Sequence, residues 1–73
     1  MLNRLLLQEI IAGLPLKQRE VITLRDVEGY SFKEIAKILG IEEGNVRVLL
    51  HRARSKVKEQ FIRIYNYGIA QSS

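Results

Sequence analysis

The sequence contains no cysteine, only one histidine and no long apolar run. Without cysteine the chain forms no disulfide and offers no cysteine-based zinc site, and His51 cannot build a metal site alone. No apolar stretch reaches the length that spans a bilayer, and residues 1–13 are too interrupted by polar side chains for a signal peptide. We therefore expect a cytoplasmic protein that has no membrane partner and needs no cofactor.

Catalytic signatures are missing as well. The sequence has no glycine-rich phosphate loop, no metal-ligand cluster and no nucleophile–base pair at a spacing that supports one. Charged residues do recur between positions 19 and 28, but a solvated helix face accounts for them better than a catalytic carboxylate pair does. The sequence therefore predicts that the protein is not an enzyme.

The chain is 73 residues long, which is enough for one small domain with a modest core. It contains no internal repeat, low-complexity segment or linker, so a single domain over residues 1–73 suffices. Gly13 is placed to end a first helix, Pro15 suits the first turn of a second, and Gly29 closes that segment. Helical periodicity between these breaks predicts four helices, near residues 2–12, 16–28, 32–39 and 43–66.

The third and fourth predicted helices are joined by a turn of only a few residues. Ser31 and Glu34 have the spacing of a capping box, which begins the third helix. Gly40 stops it, and a tight turn at this point requires the left-handed backbone that glycine adopts without penalty. A short helix, a glycine-containing turn and a longer helix are the signature of a helix-turn-helix, here at residues 32–58. The predicted fold class is therefore all-α.

The fourth predicted helix has an apolar stripe on one side and a basic face on the other. Its core-facing stripe comprises Val46, Leu50, Ala53, Val57 and Phe61, and continues to Ile64. Residues 46–58 carry five positive charges, one histidine and no acid. The net charge of +4 divides into +1 for residues 1–41 and +3 for residues 42–73, so the excess lies on this helix.

A helix with this division of faces suits the major groove of DNA. Arg47 or Arg52 can recognise guanine, and Asn45 can recognise adenine. Of Arg47, Arg52 and Arg54, at least two are expected to contact phosphate instead of bases. Val48 is either a chance surface valine or a contact for a thymine methyl group. The predicted DNA-binding residues are Asn45, Arg47, Val48, His51, Arg52, Arg54, Ser55 and Lys56.

Residues 14–58 resemble region 4 of the sigma-70 family of initiation factors, especially the extracytoplasmic-function group. Three motifs carry the resemblance: L-P-x-x-x-R-E-V, E-G-x-S-x-x-E-I-A-x-x-L-G-I and G-x-V-R-x-x-L-x-R-A-R. The resemblance implies binding to the minus-35 promoter element and docking on the beta flap of RNA polymerase. It places Arg47 on a basic position of the recognition helix, and Arg52 and Arg54 on its R-A-R motif. Region 2 of the family is absent, so the chain is expected to be a fragment of a longer factor.

The sequence departs from the commoner family pattern at three places. Glu42 stands where Ser is frequent, Asn45 where Thr is frequent, and Val48-Leu49 where a Ser-Arg pair is frequent, which leaves the base preference undetermined.

Two other interpretations stay open. The segment E-I-A-x-x-L-G-I-x-x-G-x-V-x-V also resembles the output domains of LuxR-type response regulators, which are dimeric. The L-P and R-A-R motifs favour a sigma domain, which is expected to be monomeric. Alternatively, the first helix and residues 61–67 form a docking surface for polymerase or an anti-sigma factor, a role compatible with DNA binding.

Overall fold

The computed structural model describes the backbone of residues 4–72 and the side chains of residues 4–66. All of the regular structure in this part of the chain is helical, which confirms the predicted all-α class. The predicted first helix begins at residue 2, and residues 2 and 3 lie outside the described residues. The elements are α1 (Arg4–Ala12), α2 (Leu16–Ile22), a π-helical segment (Thr23–Val27), α3 (Phe32–Leu39) and α4 (Glu43–Ser72).

The core lies where α2 and α3 pack against the first half of α4. Val21, Ile35 and Val46 are the largest fully buried side chains, one from each of these helices. Burying side chains of this size stabilises the fold by roughly 1.5–3 kcal/mol each. Within the predicted stripe of α4, the first three positions are buried, which confirms that half of the prediction. The buried core consists of Leu14, Val21, Ile22, Ile35, Val46, Leu50 and Ala53.

Helix α1 packs on the core through Ile11. Leu5, on another side of the helix, is 67% exposed. The connection after α1 also contributes, because Leu14 is buried although it belongs to no helix. Arg19 of α2 donates a hydrogen bond from Nη1 to the carbonyl oxygen of Ala12 at 3.3 Å, which satisfies one of the carbonyls left open at the end of α1.

The second predicted helix, residues 16–28, is divided in the structure into α2 and the π-helical segment. The backbone N–H of Glu28 bonds to the carbonyl of Thr23 at 3.0 Å, five residues earlier, instead of the four of an α-helix. This wider turn changes which side chains face the core beyond Ile22. Val27 is 66% exposed as a result, and Asp26 lies within hydrogen-bonding distance of α4.

The helix-turn-helix has the predicted capping and turn geometry. Ser31 donates its backbone N–H to the Glu34 carboxylate at 2.9 Å, and the Glu34 N–H bonds to the Ser31 hydroxyl at 3.1 Å. These hydrogen bonds, the one from the Ser31 backbone foremost, lower the pKa of Glu34. Gly40 has φ 67° and ψ 36°, which confirms the left-handed turn. Ile41 packs against the core, and its N–H bonds to the carbonyl of Ala36 at 3.0 Å.

Helix α4 is 30 residues long and extends well beyond the other helices. At 1.5 Å per residue it spans about 45 Å, and the molecule measures 48 × 19 × 16 Å. The helix runs to Ser72, so the predicted end near residue 66 was wrong. Ile64, expected on the core stripe, is 41% exposed because α4 extends beyond the core at that point. Within the described part of the chain, no helix combines the length and apolar character needed to cross a bilayer.

Candidate nucleic-acid interface

The basic face predicted on α4 is exposed along its whole length. The buried stripe of α4 lies against α2 and α3, so the opposite side of the helix is left open to solvent. Val48, near the centre of this face, is 46% exposed although it is apolar. All eight predicted DNA-binding residues have exposed positions: Asn45, Arg47, Val48, His51, Arg52, Arg54, Ser55 and Lys56.

The turn at Gly40 and the packing of α3 fix how the beginning of α4 is presented. In helix-turn-helix proteins the second helix lies in the major groove and its N-terminal residues contact base edges. Asn45, Arg47 and Val48 occupy this part of α4, and Arg52 and Lys56 follow on the next turns. Glu43, in the first turn, is placed to complement the helix dipole. The exposed face therefore combines hydrogen-bonding side chains at its start with positive charge farther along.

Arg54 differs from the other arginines of this face because it holds an ion pair within the domain. Its Nε donates to Asp26 Oδ2 at 2.9 Å and its Nη2 donates to Asp26 Oδ1 at 2.5 Å. The hydrogen bonds to Asp26 raise the pKa of Arg54. Both side chains remain partly exposed, so we expect the pair to stabilise the fold by no more than about 1 kcal/mol. The contact joins the π-helical segment to α4 and leaves less of the Arg54 charge for an external phosphate.

Arg47 is held differently, against an aromatic ring. Its guanidinium carbon lies 4.9 Å from the centroid of the Phe32 ring, and the guanidinium carbon of Arg25 lies 4.8 Å from the same centroid. Both distances are within the range of a cation–π interaction. Arg25 also donates from Nη1 to the carbonyl of Tyr30 at 3.0 Å. Sequence reasoning missed this cluster because Phe32 was assigned no role beyond its place in α3.

The other charged groups of the face have no carboxylate partner among the described residues. Arg52 and Lys56 make no ion pair in that part of the structure, whereas Arg63, farther along α4, pairs with Glu59 at 3.3 Å. His51 is exposed on the same face. In the same described region, no three histidine, aspartate or glutamate side chains are grouped as a metal site would require. The face can therefore offer positive charge and hydrogen-bond donors to a polyanion.

Comparison with known proteins supports a single family. The family described as sigma-70, region 4, matches residues 4–57. The ECF RNA polymerase sigma factor SigD of Mycobacterium tuberculosis is 39% identical over 62 residues, covering 85% of this chain and 29% of the relative. The RNA polymerase sigma-E factor of Streptomyces coelicolor is 38% identical over 60 residues, covering 82% and 34%. SigE of Mycolicibacterium smegmatis, also named an ECF sigma factor, is 34% identical over 67 residues, covering 92% and 26%.

The matched residues are the ones that build the fold and its exposed face. They include α1, α2, α3 and the part of α4 that contributes to the core. The chain spans about a third or less of the length of these curated relatives. Of the two families that the helix-turn-helix segment resembles, the match is to the initiation factors. The chain belongs to the sigma-70 family as a region 4 domain of the extracytoplasmic-function group, the DNA-binding domain of an alternative sigma factor.

Proposed function

We propose that this domain binds the minus-35 element of promoter DNA and so directs RNA polymerase to a set of promoters. The observation that carries the proposal is the exposed basic face of α4, which lies opposite the buried stripe and directly follows the turn at Gly40. A helix held in this way fits the major groove, where base pairs present distinct patterns of donors and acceptors. The cations along its edges replace counterions at the phosphates and hold the helix in register.

Different residues are proposed for different parts of the recognition. Asn45 and Arg47 lie at the start of α4, where base edges are within reach, and their side chains suit adenine and guanine respectively. Arg52 and Lys56 lack a carboxylate partner among the described residues and are placed to contact phosphates. Arg54, paired with Asp26, contributes mainly by fixing the π-helical segment against α4. Its part in DNA binding is therefore expected to be smaller than that of Arg52.

Binding of the polymerase core through its beta flap is proposed for a second surface, which includes part of α1. A groove lies between α1 and the π-helical segment and includes Leu7, Ile11 and Val27. The high exposure of Val27 leaves apolar area that a partner would cover. An anti-sigma factor would compete for the same area. Titration with a flap peptide tests this directly, and the proposal fails if Val27→Asp binds the peptide as tightly as the wild type.

The DNA-binding proposal is tested by selecting duplexes from a random library with the 73-residue chain and measuring their affinity across a range of salt concentrations. We expect Arg52→Ala to weaken binding to selected and unrelated duplexes alike and to lower the salt slope by roughly one. The physical reason is the loss of one released counterion at one phosphate. Fluorescence anisotropy of labelled duplexes gives both quantities.

Arg63→Ala is the matched control for this experiment. It removes the same charge from α4, but it lies 11 residues farther along, about 16 Å from Arg52 along the axis, and its charge is already paired with Glu59. Its salt slope should equal that of the wild type. If the library yields no preferred sequence, the proposed recognition of a promoter element is wrong. If Arg52→Ala changes the preferred sequence instead, Arg52 contacts a base.

Val48 is proposed to pack on a thymine methyl group, because it is an exposed valine near the centre of the basic face. Replacing each thymine of a selected duplex by uracil removes one methyl group at a time. At one position the wild type should then lose up to about fourfold in affinity, the value of one buried carbon, while Val48→Ser should lose nothing there. Should every uracil substitution affect both proteins equally, Val48 does not contact a thymine.

A further inference from the structure

We propose that Phe32 is a positioning residue for DNA recognition, and that its ring holds the guanidinium of Arg47 in place at the start of α4. The inference rests on the proposed function, because it concerns how the DNA-binding face is prepared for its ligand. It adds a residue of α3 that was assigned no part in binding. The observation behind it is the contact between the Arg47 guanidinium carbon and the Phe32 ring centroid at 4.9 Å.

The position of Arg47 on α4 explains why it needs support from another helix. It lies at the edge of the basic face and is exposed, and no described carboxylate pairs with it. A long side chain in this situation samples many rotamers, and fixing it on a base costs conformational entropy at the moment of binding. The face of an aromatic ring attracts a guanidinium without neutralising its charge. Phe32 can therefore order Arg47 while leaving its donors available, which the carboxylate of Asp26 does not do for Arg54.

The ring is itself held firmly enough to serve this purpose. Phe32 is the first residue of α3 and follows Ser31, whose side chain caps the helix. The Phe32 side chain is half-buried and packs against the core. A second cation also contacts the ring: the guanidinium carbon of Arg25 lies 4.8 Å from the ring centroid, and Arg25 donates a hydrogen bond to the carbonyl of Tyr30. The ring thus has a fixed backbone, a core contact and a second cation that is anchored to the preceding loop.

The experiment compares Phe32→Leu with Phe32→Tyr in the 73-residue chain, using the duplex that the wild type selects from the random library. Leucine keeps the apolar contact with the core but has no π-face, whereas tyrosine keeps the ring. We expect Phe32→Leu to bind the duplex about two- to fivefold more weakly, the range of an exposed cation–π interaction, and Phe32→Tyr to restore wild-type affinity. Circular dichroism verifies that both variants are folded at the temperature of the binding measurement.

A double-mutant cycle with Arg47→Ala separates positioning from a general effect on the fold. In the Arg47→Ala background, Phe32→Leu should have no further effect on affinity, because the side chain that the ring holds is absent. An equal loss in both backgrounds would show that the ring acts on the fold and not on Arg47. Tighter binding by Phe32→Leu would also overturn the inference, since the ring would then be withholding Arg47 from DNA.

A measurement without DNA tests the contact itself. A guanidinium stacked on a ring brings its side-chain methylene protons into the ring current, so the NMR signals of Arg47 should be shifted upfield in the wild type and return to ordinary positions in Phe32→Leu. Unshifted signals in the wild type would contradict the inference. If the wild type binds no duplex at all, the proposed function fails and the inference with it; if the wild type and Phe32→Leu bind equally, the inference alone fails.

Discussion

Replacing Ile35 with alanine is expected to lower the free energy of unfolding by about 2–5 kcal/mol, the cost of deleting a large buried aliphatic side chain. Ile35 lies on α3, has no exposed area and belongs to the core that α3 forms with α2 and α4. A domain of 73 residues has a total stability of roughly 4–11 kcal/mol. The substitution therefore removes a large part of the stability, and urea denaturation followed by circular dichroism measures the change.

Ile38→Ala is the matched control, because it makes the same chemical change on the same helix less than one turn later. Ile38 is 54% exposed, so its removal leaves no cavity. We expect its free energy of unfolding to stay within about 0.5 kcal/mol of the wild type. If the two variants lost equal stability, the assignment of Ile35 to the core and Ile38 to the surface would be wrong.

Gly40→Val should lower the stability of the domain by at least about 1–2 kcal/mol, the cost of placing a side chain on left-handed backbone. The φ of 67° at this position is accessible to glycine at no cost. A Cβ built at Gly40 meets no atom within 4 Å beyond its chain neighbours, so the first side-chain carbon adds no steric conflict with the rest of the fold. Most of the effect is therefore expected to come from the backbone. The midpoint of thermal unfolding reports it, and an unchanged midpoint would contradict the prediction.

Gly44 supplies a control of opposite sign, four residues farther along. It lies within α4, its φ is not positive, and a Cβ there also meets no atom within 4 Å. Gly44→Ala should therefore raise stability by about 0.5–1 kcal/mol, because alanine loses less conformational freedom than glycine in a helix. If Gly44→Ala also lost stability, the loss in Gly40→Val could not be attributed to the left-handed turn at Gly40.

The parts of the fold that could be predicted from the sequence are those with a local physical signal. The capping box at Ser31 and Glu34 and the turn at Gly40 each depend on neighbours within a few residues, and all are present. The stripe of α4 follows from helical periodicity, which holds as long as other helices lie alongside. It fails at Ile64, where α4 continues but the core does not. The π-helical segment has no comparable signal, because its wider turn changes the register without a change in residue type.

The candidate site likewise has features that the sequence could predict and features that it could not. The exposed face of α4 could be predicted because it is the complement of the buried stripe on one helix. The contact of Arg54 with Asp26 joins residues 28 positions apart, and its geometry depends on the π-helical segment. The contact of Arg47 with Phe32 depends on how α3 crosses α4. Neither pair has a spacing in the sequence that would indicate it, so both emerged only from the packing of the helices.

The length of α4 has a consequence for how the domain moves through solution. Its radius of gyration is 14.1 Å, compared with about 11 Å for a compact domain of the same number of residues. The longer shape has more hydrodynamic drag, so a monomer elutes from a sizing column ahead of a compact standard of 8.4 kDa. An early peak is therefore no evidence of a dimer for this chain. Light scattering, whose signal depends on mass and not on drag, distinguishes an elongated monomer from a pair of copies.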